Sequence, residues 1–310
     1  ALRASKRARD VVEALWPKVD PVDVVFHLLS DPETLAAAAG STLSSREQEL
    51  LAWRRHPARS RAPWTPADLV LVDEASGAVA RPPAYAHVVV DEAQDLSPME
   101  LRAIGRRCGR SATVLGDLAQ ATTAWASTSW SDALRHLGLR QARMETLHRA
   151  FRIQASVLKM ANRLLPSIAP TLAPAVAVRD APDALALVRA PDGDVAGTVV
   201  GQVAASLERP GSIGVIVPPT QHGPVAQALS RSGTEWGSVG EMAAGRRVTL
   251  LGATEAKGLE FDVVVLVEPE ALVGSAQPAA LQLLYIAVTR AVLRLVVVHS
   301  GPLPDQLVRG

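Results

Sequence analysis

The 310-residue sequence predicts an α/β protein with two parallel-sheet domains, the first incomplete, preceded by a helical segment. Three observations carry this. Short continuous apolar runs such as Val88–Val90, Val263–Val267 and Leu295–Val298 have strand length and no polar alternation. That is the pattern of strands covered on both faces. Helix-spaced segments separate most of these runs, and regular strand–helix alternation argues for a parallel sheet. With 48% hydrophobic residues, a chain of this length can also build two modest cores.

Residues 1–56 read as helical, with Val11, Val12, Leu15 and Trp16 at helical spacing until Pro17 interrupts. Asp20-Pro21 and Asp31-Pro32 look like capped helix starts with proline in the first turn. Ser44 followed by Glu47 has the capping-box spacing. The Arg- and Pro-rich stretch Arg54–Pro66 reads as a loop, and Thr65-Pro66-Ala67-Asp68 begins another helix. Residues 1–80 together form the helical segment.

In residues 81–143, His87–Val90 is a candidate strand covered on both faces and Ser97-Pro98-Met99-Glu100 starts a helix. Ala112–Leu115 is a second buried-strand candidate, ended by Gly116-Asp117. Residues 144–310 form the second domain, with the boundary near residue 143. Met144–Leu165 is expected to be one helix, and Pro166, Pro170 and Pro174 mark a linker-like crossing. Further strands are expected at Leu185–Arg189, Ile213–Val217, Val248–Ala253, Val263–Val267 and Leu293–Val298.

Composition narrows the function classes. Net charge is +1, so no strong basic field advertises nucleic-acid binding. The single cysteine, Cys108, rules out a disulfide framework and argues against a structural zinc site. The apolar runs are too short to span a bilayer, and Ala1–Lys6 leads into no signal-peptide core. The expectation is a cytoplasmic protein with no membrane partner.

The string Val88-Val89-Val90-Asp91-Glu92-Ala93-Gln94-Asp95 carries the strongest chemical signal. A buried strand would deliver two carboxylates to its C-terminal end, where open α/β sheets bind ligands. Asp91 is suited to hold Mg²⁺ through water, and Glu92 to orient and deprotonate an attacking water, the pairing that phosphoryl transfer needs. A bare Asp-Glu pair is also an ordinary acidic helix N-cap. The complete string sets this one apart.

That string resembles motif II of superfamily-1 helicases of the UvrD/Rep group, and the resemblance continues in order along the chain. Thr113–Gln120 resembles motif III, whose glutamine, here Gln120, senses the γ-phosphate. Leu147-His148-Arg149-Ala150-Phe151-Arg152 resembles motif IV. Phe151 stands where the family has a tyrosine that stacks on the base, and Arg152 would reach the γ-phosphate. Thr254–Asp262 resembles motif V, with Lys257-Gly258 in its turn and Glu260 expected on the ribose. Leu284–Ala291 resembles motif VI, with Arg290 as the second arginine finger. The implied fold is a pair of RecA-like domains, 1A incomplete and 2A nearly complete. The implied substrate is ATP or GTP with Mg²⁺.

Two departures stand beside this. A phosphate-binding loop needs Gly-x-x-x-x-Gly-Lys-Ser/Thr, yet the four lysines follow Ser5, Pro17, Leu158 and Ala256. In the family that loop lies upstream of motif II, so the chain is expected to be the C-terminal part of a longer protein whose N-terminal part is its nearest partner. The nucleic-acid contacts also look thin. After motif III comes Ala121-Thr122-Thr123-Ala124-Trp125, where Trp125 would stack on a base or, on the plainer reading, be buried. In motif V, Thr254 is a candidate strand contact, but Glu255 beside it would repel phosphate.

Within the group, Trp64–Asp68, Asp91–Leu101, Gly116–Gln120, Trp125 with Trp130, and Ile168–Pro174 resemble the actinobacterial HelD-type proteins. That resemblance implies an NTPase associated with RNA polymerase that releases stalled polymerase from nucleic acid, in some cases opposing rifamycins. A UvrD-type DNA helicase and a truncated, non-catalytic binding module are the alternatives. Strands missing from the first sheet would leave an exposed edge and poor solubility. With no phosphate-binding loop, the pure 310-residue chain is expected to show no steady Mg²⁺-dependent NTP hydrolysis in a phosphate-release assay.

Overall fold

The computed structural model describes residues 6–53, 58–127, 129–274 and 278–308, and residues 54–57 of the expected loop lie outside them. The chain divides into two compact units, Ala1–Gly116 with Trp125–Ala142, and Asp117–Ala124 with Arg143–Gly310. Among the described residues no helix is long and apolar enough to cross a membrane.

The first unit opens with four helices, α1 (Lys6–Leu15), α2 (Pro21–Ser30), α3 (Pro32–Ala39) and α4 (Ser45–Leu51). Their starts follow the local chemistry. The Asp20 and Asp31 side chains accept from the backbone N–H groups of Val22 and Glu33, satisfying donors that a first turn leaves unpaired. Ser44 and Glu47 close a reciprocal capping box on α4. Helix α1 forms, but Val11, Val12, Leu15 and Trp16 are exposed. Next come α5 (Pro66–Val79), β1 (Tyr85–Val90), α6 (Pro98–Arg107), β2 (Cys108–Val114) and α7 (Trp130–His136). Helix α5 carries a Thr65/Asp68 capping box, and α6 a Ser97/Glu100 one.

Helices α5 and α6 are joined by ion pairs between side chains. Asp73 accepts from Arg107 at 2.5 Å and pairs with Arg106, while Glu74 accepts from Arg102 at 2.7 Å and also pairs with Arg106. The Arg107 guanidinium is the main influence holding the Asp73 carboxyl below its usual range, and Arg102 does the same for Glu74. Gly77 makes the crossing close, since a Cβ there would lie 2.9 Å from the Arg106 stem.

Strands β1 and β2 pair in parallel and form a two-stranded sheet. The expectation that both are covered on both faces fails. In β1 only Val90 is buried, Tyr85 and Val89 are exposed, and β2 is at most half-buried. The apolar runs report strand propensity correctly, but two strands and one small core (Leu101, Ala133, Leu137) cannot cover both faces.

The second unit begins with β3 (Arg149–Gln154), α8 (Ala155–Asn162), α9 (Leu165–Ile168) and β4 (Val176–Arg179). The single helix expected over Met144–Leu165 is therefore corrected. Residues 149–154 pair in parallel with 176–179, and the helix starts only at Ala155. Pairing with a distant strand overrides local helix propensity here. The segment Pro166–Pro174 is not a linker crossing either, because Leu165 and Ala169 are buried and Leu172 packs on the same core.

There follow β5 (Leu185–Arg189), α10 (Val195–Leu207), β6 (Ile213–Ile216), α11 (Pro219–Arg231), β7 (Trp236–Gly237), β8 (Val248–Leu251), β9 (Phe261–Val267), α12 (Pro269–Val273), α13 (Pro278–Thr289), β10 (Ala291–His299) and α14 (Asp305–Val308). Six strands form one parallel sheet in the order β5-β10-β9-β6-β8-β7. Side-chain alternation splits its residues between two cores. Ile216, Leu251, Val264, Leu266, Leu295 and Val297 join α8, α9, α12 and α13 on one face. Val215, Leu250, Val265, Val267, Val296 and Val298 join α10 and α11 on the other. The doubly covered sheet explains why its strands read as unbroken apolar runs, and it has the RecA-like α/β character expected.

At the centre of the sheet, the Phe261 ring lies directly over Gly214, where a Cβ would fall 2.4 Å from a ring carbon. Gly214→Ala is expected to destabilise the protein by roughly 1–3 kcal/mol through overpacking. Urea denaturation followed by circular dichroism checks this.

Candidate functional site

In the first unit the carboxylates sit where β1 ends. Leu115 N–H donates to Val90 O at 2.8 Å and Ala93 N–H to Leu115 O at 3.0 Å, pinning the chain on either side of Asp91 and Glu92. Both side chains are exposed. The Asp91 carboxylate accepts from Glu92 N–H at 2.9 Å. Glu92 holds a left-handed backbone (φ 52°, ψ 35°), which disfavours a residue with a Cβ by on the order of 1–2 kcal/mol and is typical of positions whose geometry is functional.

A residue with no assigned role in the sequence reading holds this turn. Gln94 is fully buried, and its amide donates to Glu92 Oε2 at 2.5 Å and to Asp95 Oδ2 at 3.2 Å. Gly116 makes room for it, because a Cβ there would lie 2.3 Å from Gln94 Oε1 and 2.7 Å from Trp130. Both residues stand inside quoted motif strings, and that was the available signal. Trp125 corrects the plainer expectation. It is 54% exposed, its indole N–H donating to Asp95 O at 3.0 Å.

Among the described residues no group of three or more His, Cys, Asp or Glu side chains is placed to hold a metal ion. Asp91 as an exposed lone carboxylate fits Mg²⁺ in one way only, as one ligand of a hydrated ion that also binds substrate phosphates.

In the second unit, residues 117–124 lie against α13 and the turn after β8. Asp117 caps the short 3-10 turn Leu118–Gln120, accepting from Ala119 N–H at 2.9 Å and from the Gln120 amide at 2.8 Å. Ala119 is fully buried in the core that α13 lines. Arg290, only 8% exposed, donates through Nη2 to Gln120 Oε1 at 2.9 Å and Thr289 Oγ1 at 3.2 Å. Its Nη1 reaches Leu259 O and its Nε reaches Ile286 O, both at 3.2 Å. Lys257 Nζ donates to Gln120 O at 2.7 Å and Thr122 Oγ1 at 3.0 Å. Gln120 is thus gripped by two cations. Burial is the main cause pushing the nearby Tyr285 phenol up, Asp117 adds to it and Arg290 opposes it. The Lys257 contacts went unforeseen, since Lys257-Gly258 alone reads as a glycine-capped turn.

Arg152 on β3 is exposed and forms an ion pair with Glu260, bringing a motif IV and a motif V residue together at the surface. Such a pair adds little stability in water. Phe151 is 65% exposed. Thr254 and Gly258 are exposed in the turn after β8, and Gly258 takes the positive φ of 74° that reverses the chain. Glu255 folds back there to accept from Gly252 N–H at 2.8 Å, so the carboxylate that looked hostile to a nucleic-acid strand shapes the turn.

Each unit by itself gathers its own set of polar side chains. The first offers two carboxylates at a strand end, and the second a buried guanidinium, an ammonium and an amide around Gln120. Arg290→Ala removes donors from the Ile286 and Leu259 carbonyls and from Gln120, and is expected to destabilise the second unit by about 2–3 kcal/mol. Arg290→Lys, which keeps the charge but not the fork, should recover only part of that. Thermal and urea unfolding of the three proteins measures it.

Among solved structures, the chain is similar to the C-terminal domain of a possible DNA helicase from Lactobacillus plantarum WCFS1, at 19% identity and TM-score 0.40, over 52% of this chain and 94% of that one. It is also similar to the Arterivirus nonstructural protein 10 helicase. With DNA present the identity is 19% and the TM-score 0.38, over 70% of this chain and 40% of that one. In a second structure of that helicase they are 21% and 0.39, over 73% and 41%. The chain thus spans well under half the length of the arterivirus protein. No curated protein matches the sequence. Residues 253–298, which include Thr254, Lys257, Gly258, Glu260 and Arg290, match the family model of the UvrD-like helicase C-terminal domain.

Proposed function

We propose that this chain is the motor portion of a helicase-type NTPase of the HelD kind, binding RNA polymerase and releasing it from nucleic acid. The observation that carries the reading is the match of residues 253–298 to the UvrD-like helicase C-terminal domain, in a unit where Arg290 and Lys257 from that stretch converge on Gln120. The choice of HelD rests on the sequence strings that resemble that branch. On this reading residues 81–143 belong to a partial 1A domain, and 144–310 to 2A. The phosphate-binding loop would come from a segment outside this sequence.

The roles follow from side-chain chemistry. Asp91 would hold a hydrated Mg²⁺ that arrives with ATP or GTP; the ion would neutralise phosphate charge. Glu92, oriented by Gln94, would take the proton from the attacking water. Arg290 and Arg152 would stabilise negative charge on the transferred phosphoryl group once their present partners release them. Gln120 would report the γ-phosphate to Lys257 and Arg290, Glu260 would bind the ribose, Gly258 would give the backbone close access, and Phe151 would pack on the base.

A DNA helicase of the UvrD type is the second reading. The exposed Trp125 favours it, because an indole held through its N–H and more than half exposed can stack on a base.

In the intact protein, Glu92→Gln is expected to lower NTP hydrolysis by roughly 10²–10⁴-fold while nucleotide binding and co-purification with RNA polymerase persist. Unchanged hydrolysis would remove Glu92 from the reaction. Processive unwinding without polymerase, together with salt-sensitive single-strand binding that Trp125→Ala weakens, would decide for the helicase.

A further inference from the structure

We propose that the cleft along the leading edge of the second sheet binds a small phosphorylated ligand, at a site separate from the residues given motif roles above. The cleft has a volume of about 540 Å³ and lies within the second unit. Its wall is built where strands start. Asp183 precedes β5, Arg209 lies between α10 and β6, Val263 is near the start of β9, and Arg294 lies in β10. Arg179, the last residue of β4, and Asp180 complete the charged lining. None of the motif residues Gln120, Arg152, Glu260 and Arg290 lines it.

The unmet hydrogen-bonding capacity points to an anion. Arg294 is half-buried, and its Nε is shut off from solvent with no hydrogen-bond partner. Among the described residues the side chains of Arg294 and Arg179 make no hydrogen bond or salt bridge. Being shut off from solvent, the Arg294 Nε cannot itself meet a ligand, and the donors left for one are the terminal guanidinium nitrogens, which are neither bonded nor sealed off. The carboxylate best placed to serve, Asp183, is held by Arg209 at 3.1 Å. Three arginines therefore face two carboxylates, one of them already engaged. A planar guanidinium fork is the side chain best matched to phosphate oxygens.

The rest of the lining limits the ligand's size and body. Val178 and Leu293 are 54% and 41% exposed on the cleft wall, so an apolar or aromatic body attached to the phosphate would find cover there. The volume falls within the range of roughly 300–1,000 Å³ usual for small-molecule sites. A bounded cleft, in a chain of net charge +1, suits a small molecule better than the extended basic track that a nucleic-acid strand follows.

Inorganic pyrophosphate tests this by isothermal titration calorimetry on the intact protein at low salt. Wild type is expected to bind. Arg294→Gln and Arg179→Gln should each weaken binding by about tenfold, the loss of one charge-assisted contact, and Arg231→Gln, at an exposed arginine at the end of α11 that neither lines the cleft nor has a motif role, should leave the affinity unchanged. Should Arg294→Gln fail to fold, the surface variant Arg179→Gln carries the test alone. Absence of binding in wild type would overturn the proposal. So would affinity that falls in Arg231→Gln but not in Arg179→Gln, or displacement of pyrophosphate by a single-stranded oligonucleotide at lower concentration than by adenosine monophosphate.

Discussion

The arrangement of the second unit turns on one buried guanidinium. Arg290 sits at the junction of α13 and β10, almost out of solvent, with its donors divided among two backbone carbonyls, a hydroxyl and the Gln120 side chain. Removing a charged group from water is unfavourable unless its hydrogen bonds are replaced. The surroundings replace them by bringing together three remote pieces of sequence, namely residues 117–124, the turn that ends in Leu259, and the end of α13. Lys257 reinforces the grip on the first piece through Gln120 O and Thr122. Residues 117–124 therefore pack with the second unit although the sequence on either side of them belongs to the first.

The first unit depends on a different constraint, a strained turn held by one amide. Glu92 adopts a left-handed backbone that a glycine would take more readily. It is kept there by the ladder bonds around Leu115 and by Gln94, whose burial requires Gly116 to have no side chain. Gln94 thus ties the Glu92 and Asp95 carboxylates together from a buried position, where a polar group needs its hydrogen bonds met. On the proposed reading Glu92, with Asp91 beside it, would place and deprotonate a water. The same unit leaves Val89, Leu115, the α1 residues Val11, Val12 and Leu15, and Trp16 just after α1 exposed.

Where sequence reading and structure part company, the cause is consistently a partner far away in the chain. Arg149–Gln154 reads as helix because Leu147, Phe151, Val157, Leu158, Met160 and Leu164 can share one helical face, yet its strand pairing is with Val176–Arg179. Val88–Val90 was read as doubly covered, since the run cannot say how many strands lie beside it. Pro166–Pro174 resembled a linker because proline punctuates linkers, whereas Leu165, Ala169 and Leu172 are gathered into the core by α13 and its neighbours. Helix starts fared better. Asp20, Asp31, Ser44, Thr65 and Ser97 each cap a helix within three residues of themselves, and so short a range is legible in one dimension.

By itself the sequence determined the α/β class, the five main strands of the large sheet, the capped helix starts and the ordered motif strings that carry the candidate chemistry. Each depends on residue type at short spacing, through propensity, periodicity or local hydrogen bonding. Only the tertiary structure decided that Gln120 is held by Lys257 and Arg290, that Arg152 meets Glu260, that Gln94 and Gly116 lock Glu92, and that Arg294 lacks an acceptor beside a cleft. These pairings span up to 170 residues. They arise from how strands are ordered in a sheet and which buried polar groups must satisfy one another, and neither can be read from the order of residues alone.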